Sequence, residues 1–150
     1  MIYLLDLNYT LAQSVAINFY NFTYDVSKDV YRKDLAEALK ADVQKGDRIF
    51  LITARTDNYA EETKAKIQKE IGLPIERFYF KPTSKRCVEV HFFKKQVAMK
   101  LMTEGFKAED FFGIESNAKT RKAYESIGIK SVPYAKFMEQ RQTPTIPTLF

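Results

Sequence analysis

Residues 2–11 read IYLLDLNYTL, and this stretch decides the fold. Its four leading residues, Ile2–Leu5, are apolar, which is typical of a strand buried on both faces of a parallel sheet. The run ends at Asp6, so a carboxylate follows the strand directly. In parallel α/β sheets, ligands bind beyond the carboxyl ends of the strands. Asp6 is therefore the first residue to consider for a functional site.

Four more short apolar runs follow along the chain. Between the runs lie segments with apolar residues at helical spacing, each of which ends just before a glycine. Strands that alternate with helices predict an α/β fold with a parallel sheet. The predicted strands are residues 2–5, 48–53, 77–80, 111–114 and 129–132, and the predicted helices are residues 29–44, 58–71, 93–103 and 118–127.

Length and composition describe one ordinary globular domain. The chain has 150 residues, 45% hydrophobic and 29% charged, which excludes disordered, collagen-like and disulfide-stapled proteins. A single cysteine and the shortness of the apolar run predict a cytoplasmic protein with no signal peptide or membrane span. We expect residues 1–150 to form a single domain, with residues 12–28 as an irregular flap over the sheet end and residues 140–150 as an extended tail.

The charge balance is basic. Twenty-four Lys and Arg residues stand against nineteen Asp and Glu residues, a net charge of +5. This excess suits a phosphorylated small molecule or a nucleic-acid end, although a basic solvated surface with no such partner explains it equally well. The same alternatives apply to a basic stretch that we expect near the mouth of the site. That stretch contains Arg77, Lys81, Lys85 and Arg86.

Polar residues with complementary chemistry follow the predicted strands. A carboxylate such as Asp6 can attack phosphorus, and a hydroxyl such as Thr53 can hold phosphate oxygens. A lysine at the start of the next helix, Lys94, can neutralise the charge on both groups. Glu115 follows the fourth strand and can share a Mg²⁺ ion with Asp6. Each residue alone has an ordinary structural explanation, but their common place after strands predicts one site.

Two adjacent lysines, Lys94 and Lys95, compete for the inward position on this helix. We favour Lys94, because Val97, Ala98 and Met102 follow it at +3, +4 and +8 and share its face.

The order and spacing of these residues resemble the haloacid dehalogenase superfamily of phosphotransferases over nearly the whole chain. The first motif of that superfamily is Asp-x-Asp-x-Thr after a strand, and DLNYTL fits it at every position but one. FLITAR resembles the second motif, a strand that ends in Thr or Ser. Within the superfamily, FYFKP and IESNAKTRKAYESIGI are similar to the 3′-phosphatase domain of bacteriophage polynucleotide kinases. The resemblance implies a three-layer, Rossmann-like fold with about five parallel strands and no large cap domain.

The resemblance also implies roles for individual residues. Asp6 would be the nucleophile of a phosphomonoester hydrolase that forms an aspartyl-phosphate, with a nucleotide or a nucleic-acid 3′-phosphate as a candidate substrate. Lys94 would neutralise charge, and the phosphate would also contact Thr53, Ala54 and Arg55. The expected cofactor is Mg²⁺, held by Asp6, the backbone carbonyl of Asn8, and Glu115.

Two positions depart from the family pattern. Asn8 stands where the family has an Asp that acts as general acid and base, a function worth roughly 10²–10⁴-fold in rate. Ser116 replaces the second of two adjacent acids in the fourth motif. Three explanations stay open: an active phosphatase with an atypical site, a degenerate protein that binds a phosphorylated ligand, nucleic acid or protein without turnover, or an introduced Asp→Asn change at Asn8.

Overall fold

A computed structural model describes residues 1–142 of the chain. Five of its strands form one parallel sheet with β1 at the centre, as the sequence predicted. In chain order, the strands are β1 (Ile2–Leu5), β2 (Ala12–Asn18), β3 (Thr23–Tyr31), β4 (Arg48–Thr56), β5 (Arg77–Lys81), β6 (Phe111–Ile114) and β7 (Lys130–Val132). The order across the sheet is β5-β4-β1-β6-β7.

Helices cover both faces of this sheet and complete three layers. Successive side chains of a strand point to opposite faces, so Tyr3 and Leu5 pack into one core and Ile2 and Leu4 into the other. The first core is closed by α1 (Lys33–Gln44), α2 (Ala60–Glu70) and α5 (Tyr134–Gln142). The second is closed by α3 (Val90–Thr103) and α4 (Ala118–Glu125). The predicted three-layer fold without a large cap is confirmed.

Between β1 and α1 the chain forms an antiparallel hairpin of β2 and β3, so the expectation of an irregular segment over residues 12–28 was wrong. The side chains of Asn18 and Asn21 accept hydrogen bonds from backbone N–H groups in the turn, as is common for Asn in turns. Along β3 the buried residues are Val26, Asp29 and Tyr31. Two of these are charged or polar, so β3 lacks the apolar alternation by which half-buried strands are recognised.

The start of the first helix, the last helix and the tail also differ from the prediction. The first helix begins at Lys33 rather than at residue 29, because residues 29–31 belong to β3. α5 was not predicted, since Phe137 is its one fully buried residue within the described range and gives no periodic pattern. Residues 140–142 are therefore helical rather than extended, and the remainder of the expected tail lies outside the described residues.

The ends of the strands determine which residues can share a site. The backbone N–H of Asp6 donates to Ile114 at 3.0 Å, and that of Glu115 donates to Val132 at 2.9 Å, so both acids extend the ladder at the carboxyl edge. Arg77 begins β5 at the opposite edge, where it pairs with Glu104, and its predicted place near the site mouth was wrong. Among residues 1–142, no helix is long and apolar enough to cross a membrane.

Candidate active site

Three buried charged side chains meet at the carboxyl edge of the central strands. Asp6 follows β1, Glu115 follows β6, and Lys94 reaches them from the first turns of α3. The Lys94 Nζ lies 2.7 Å from Asp6 Oδ1 and 2.6 Å from Glu115 Oε1. Their exposures are 6%, 2% and 1% for Asp6, Glu115 and Lys94. We call these three residues the Asp6 cluster.

The sequence of α3 explains why its lysine points inward. Phe93, Ala98 and Leu101 are buried on the face of α3 that packs against the sheet. Lys94 shares this buried face, whereas Lys95 is half-buried. A lysine stem with this burial keeps its ammonium group near the strand ends, where two carboxylates neutralise it.

The charges in the Asp6 cluster set one another's protonation. Burial alone would raise the pKa of Asp6, but the Lys94 ammonium and the hydrogen bonds that Asp6 accepts bring it below its ordinary value. Burial raises the pKa of Glu115 to about 8, and the charge of Asp6 adds to this effect. Burial would lower the pKa of Lys94, yet the two carboxylates raise it above its ordinary value. The cluster thus keeps Asp6 as the anion and Lys94 as the cation.

The second oxygen of Asp6 accepts several hydrogen bonds. Oδ2 accepts the hydroxyl of Thr10 at 2.8 Å, the hydroxyl of Ser116 at 2.8 Å, and the backbone N–H of Ser116 at 3.3 Å. Ser116, which the sequence indicated only as a departure from a motif, is thereby a direct partner of the candidate nucleophile. Arg121 holds this loop, because its Nη1 donates to the carbonyls of Glu115 and Ser116.

A second charged cluster lies beside the first. The guanidinium of Arg55, at the end of β4, is 0% exposed and makes a two-pronged pair with Asp29 of β3, at 2.6 and 3.1 Å. Its Nη2 also donates to Asn8 Oδ1 at 2.9 Å. We call Asn8, Asp29 and Arg55 the Arg55 cluster. The resemblance implied that Arg55 contacts phosphate, but here its guanidinium faces Asp29 and Asn8 and does not line the cavity beside Asp6.

That cavity has a volume of about 220 Å³. Its floor is polar, and residues of the hairpin form part of its wall. Thr53 Oγ1 accepts the backbone N–H of Arg55 at 3.1 Å, which leaves the hydroxyl hydrogen able to donate to a ligand. The sequence-predicted residues that line the cavity are Asp6, Asn8, Thr53, Ala54, Lys94 and Glu115, and the hairpin residues are Ile17, Phe19 and Tyr24.

The oxygen atoms at this cavity suit a hard divalent cation. Ser116 Oγ lies 2.8 Å from Asp6 Oδ2 and 3.4 Å from the carbonyl oxygen of Asn8, so the carboxylate and the carbonyl face one point. Within residues 1–142, no group of three or more acidic, His or Cys side chains is placed to hold a metal. Mg²⁺ commonly takes one or two carboxylates and keeps several waters, so the Asp6 carboxylate and the Asn8 carbonyl are donors of a kind that fits it, and Glu115 is the second carboxylate at this edge.

A larger cavity, of about 730 Å³, lies between α4, β7 and α5. Its polar lining consists mainly of surface side chains such as Arg121, Lys122 and Lys130. Reactive sites need groups whose protonation is set by burial and neighbouring charge, and the Asp6 cluster has these properties. The smaller cavity is therefore the candidate site.

Sequence reasoning missed Asp29 as part of the site region. Asp29 was assigned to a helix, and its partner Arg55 lies 26 positions away along the chain, so no local pattern connects them. The position of Ser116 directly after Glu115 at a strand end was apparent from the sequence, but its hydrogen bond to Asp6 was not predicted.

The chain was compared with known proteins by sequence and by structure. No family profile and no curated protein matches its sequence. By structure it is similar to a chain of the Pnkp1/Rnl/Hen1 RNA repair complex, with a TM-score of 0.69 and 18% identity, over 88% of this chain and 41% of the other. The chain thus spans less than half of that neighbour.

Two phosphatases are also similar in structure. One is D,D-heptose 1.7-bisphosphate phosphatase from B. bronchiseptica, complexed with magnesium and phosphate, with a TM-score of 0.63 and 10% identity over 96% of this chain and 88% of that one. The other is 3-deoxy-D-manno-octulosonate 8-phosphate phosphatase from Moraxella catarrhalis, with a TM-score of 0.57 and 18% identity over 89% and 67%. With these neighbours and its three-layer parallel sheet, the chain has the fold of haloacid dehalogenase superfamily phosphatases.

Proposed function

We propose that this protein is a Mg²⁺-dependent phosphomonoester hydrolase that works through an aspartyl-phosphate on Asp6. The observation that carries the proposal is the Asp6 cluster. It combines a buried carboxylate kept anionic, a buried ammonium 2.7 Å from it, and a cavity that both line. The phosphatase neighbours of the same fold support it.

In the proposed reaction, a carboxylate oxygen of Asp6 attacks phosphorus while the bond from phosphorus to the leaving oxygen breaks. Lys94 balances the negative charge that gathers on the nucleophile and the phosphoryl group. The Thr53 hydroxyl and the backbone beside Ala54 would hold phosphoryl oxygens. Water then attacks the aspartyl-phosphate and returns the carboxylate of Asp6.

Asp6, Glu115 and the carbonyl oxygen of Asn8 would hold the magnesium ion. When bound, the ion supplies positive charge to phosphoryl oxygens and helps to orient the substrate. Ser116 donates to Asp6 Oδ2 and lies near the Asn8 carbonyl, so it is placed to adjust when an ion arrives.

A nucleotide or a nucleic-acid 3′-phosphate is the substrate class we propose to test. A further cavity of about 450 Å³ lies between the hairpin tip and the segment after β5, and Tyr20, Phe22 and Arg86 line it. Aromatic side chains beside a cation can stack a base and contact its phosphate. The structural neighbour from an RNA repair complex adds to this support. The cytoplasmic location inferred from the single cysteine stays a prediction.

Asn8 favours a second candidate function. An amide at this position has no proton to give near neutral pH, so the same cavity could bind a phosphorylated ligand or nucleic-acid end without turnover. Under this alternative, binding survives and no phosphoenzyme forms.

An assay with Mg²⁺ tests the proposed function. We would follow phosphate release from para-nitrophenyl phosphate and from a 3′-phosphorylated oligonucleotide, with Lys94→Met as the test variant and Lys95→Met as its matched control. Turnover that requires Mg²⁺ and Lys94 but tolerates Lys95→Met supports the enzyme. Ligand binding without release of phosphate from either compound, even with Asn8→Asp, would establish the binding protein instead.

Thermal unfolding gives an independent test of the metal and phosphate sites. Mg²⁺ together with beryllium fluoride, a mimic of the aspartyl-phosphate, should raise Tm more than either alone, because ligands that bind only the folded state stabilise it. The same additions should leave the Asp6→Asn variant unchanged. An equal rise in Tm for both proteins would place the ligands elsewhere.

A further inference from the structure

We infer that this site selects phosphoryl donors whose leaving group departs without a proton: acyl phosphates, phosphoric anhydrides and aryl phosphates, in preference to alkyl phosphates. A nucleic-acid 3′-phosphate is an alkyl phosphate, so by this inference it is a slow substrate, and among nucleotides those with a phosphoric anhydride are the faster ones. The inference rests on the proposed function, because it concerns the leaving group of the same reaction. Its basis is the orientation of the Asn8 side chain within the Arg55 cluster.

The amide oxygen of Asn8 is held by Arg55, which leaves the amide nitrogen as the group available to a ligand. A guanidinium can only donate hydrogen bonds, so the oxygen of Asn8 must face Arg55 Nη2, 2.9 Å away. Asn8 also lines the cavity next to Asp6. The group that Asn8 offers a ligand is therefore an NH₂, which donates a hydrogen bond but keeps its proton.

Arg55 cannot easily release this orientation. Its guanidinium is fully buried and is fixed by Asp29 at 2.6 Å and by the Thr63 hydroxyl at 3.2 Å. Lys66 donates to the backbone carbonyl of Asp29 at 2.6 Å, so the strand that carries the acid is also tied to α2. Turning the amide over would bring its NH₂ against the guanidinium, two donors without an acceptor.

Lys94, Glu115 and Ser116 are engaged with one another, with the nucleophile or with the backbone. Lys94 donates to Asp6 and Glu115, and the second oxygen of Glu115 accepts the backbone N–H of Asn117 at 3.1 Å. The Ser116 hydroxyl donates to Asp6. These contacts engage Lys94, Glu115 and Ser116 with the nucleophile and its neighbours, so we assign the place beside the departing oxygen to Asn8.

Whether the first step can proceed without a proton then depends on the leaving group of the donor. The new bond joins an Asp6 oxygen to phosphorus, and the electron pair of the broken P–O bond leaves with the departing group as an anion. Such anions range from a carboxylate, with a conjugate-acid pKa of ~4, through a phenolate, with one of ~10, to an alkoxide, whose conjugate acid is far weaker than either. The first two are stable without a proton, whereas the alkoxide is not.

The second step is the same for every donor and also lacks a group that carries the proton. Water attacks phosphorus, the bond between Asp6 and phosphorus breaks, and the proton of the water passes to solvent because an amide is no base. Hydrolysis of the aspartyl-phosphate should therefore be slow, and the phosphoenzyme should accumulate when an activated donor forms it quickly.

The test compares donors that differ in the leaving group. Acetyl phosphate, para-nitrophenyl phosphate, phenyl phosphate and glycerol phosphate would each be given to the whole protein with Mg²⁺. The readouts are the initial burst of leaving group and the hydroxylamine-labile phosphate on the protein. We expect the rate of the burst to fall along this series, with glycerol phosphate at least ~10³-fold slower than acetyl phosphate, in line with the loss of general acid catalysis.

The Asn8→Asp variant tests whether Asn8 causes the difference in burst rate between the donors. The substitution should raise the burst rate with glycerol phosphate by roughly 10²–10⁴-fold and that with acetyl phosphate by much less, since only the alkyl leaving group needs the proton. Arg55 would pair with the new carboxylate and favour its charged form, so the comparison is made at about pH 5 as well as at pH 7. Equal gains for both donors, or no gain, would overturn the role of Asn8.

Failure of the inference can be told from failure of the proposed function. If the wild-type protein hydrolyses glycerol phosphate within about tenfold of acetyl phosphate, the proposed function stands and the inferred selectivity is wrong. If no donor gives a burst or a phosphoenzyme in either protein, the proposed function itself fails.

Discussion

The Asp6 cluster and the Arg55 cluster contain the same kinds of side chain but face different surroundings. Both join a buried cation to a buried carboxylate, at 2.7 Å for Lys94 and Asp6 and at 2.6 Å for Arg55 and Asp29. All three members of the Asp6 cluster line a cavity, whereas Arg55 and Asp29 connect β4 to the hairpin and do not line it. A buried ion pair therefore does not by itself indicate a reactive site. Access to a ligand is what separates the two.

Asp6→Asn should give the largest effect and test the Asp6 cluster as the reactive one. The amide is almost the same size as the carboxylate but is a poor nucleophile, so we expect at least about a 10³-fold loss of burst rate with para-nitrophenyl phosphate. The fold should persist, which circular dichroism and a two-state unfolding curve would establish. A variant that keeps more than a tenth of the wild-type burst would exclude Asp6 as the nucleophile.

Arg55→Met should break the other cluster. Removing one partner leaves Asp29 as an uncompensated charge at 3% exposure, and breaking buried pairs in this way costs about 3–5 kcal/mol of unfolding free energy. Urea denaturation would measure the loss. If the variant lost less than about 1 kcal/mol, Arg55 would not hold the hairpin to β4.

A surface pair supplies the matched control for Arg55→Met. Arg48 pairs with Glu76, and their side chains are 40% and 44% exposed. Exposed pairs contribute about 0–1 kcal/mol, so Arg48→Met should change the unfolding free energy little. The contrast between the two arginines isolates burial as the cause of the larger effect.

The two clusters also differ in how far the sequence could predict them. Asp6 directly follows an apolar run, and the apolar residues after Lys94 indicate the buried face of its helix. The local sequence therefore predicted the positions of both residues. Asp29 and Arg55 are joined only by tertiary structure, and the polar β3 was not recognised as a strand. Strands buried on both faces are locally distinctive, while a hairpin that buries an acid against an arginine is not.

Contacts between distant elements also explain why the sequence did not predict the surroundings of Arg55 and the orientation of Asn8. A motif indicates which residue types occur after a strand, and it predicted Arg55 near the phosphate. It does not indicate that Asp29 from another element takes up both prongs of the guanidinium, at 2.6 and 3.1 Å. The orientation of the Asn8 amide follows from that contact, so it too required the structure.

The protonation of Glu115 can be tested through the pH dependence of the unfolding free energy, measured with a chelator present. Its pKa is 4.5 in the unfolded reference and about 8 in the folded protein, so the folded state binds the proton more tightly. The stability that this proton contributes is complete below pH 4.5 and is lost as the pH rises through 8. Relative to Glu115→Gln, the unfolding free energy of the wild type should therefore fall across this range, on the order of a few kcal/mol. A constant difference between the two proteins would show that Glu115 titrates alike in both states.

Ser116→Ala should give the smallest of these effects and refine the view of the Asp6 cluster. The change removes the hydroxyl that donates to Asp6 Oδ2 at 2.8 Å but keeps the backbone N–H contact at 3.3 Å. The lost hydrogen bond is worth about 1 kcal/mol, less than the loss at Arg55, because Thr10 and Lys94 still serve the Asp6 carboxylate. Urea denaturation would measure this loss. Ser126→Ala is the control, because the Ser126 hydroxyl donates to the Ala123 carbonyl on the surface.

If Ser116 also adjusts to a bound ion, the half-saturating Mg²⁺ concentration for the burst should change in Ser116→Ala and stay constant in the control. An unchanged Mg²⁺ dependence would restrict Ser116 to supporting the nucleophile.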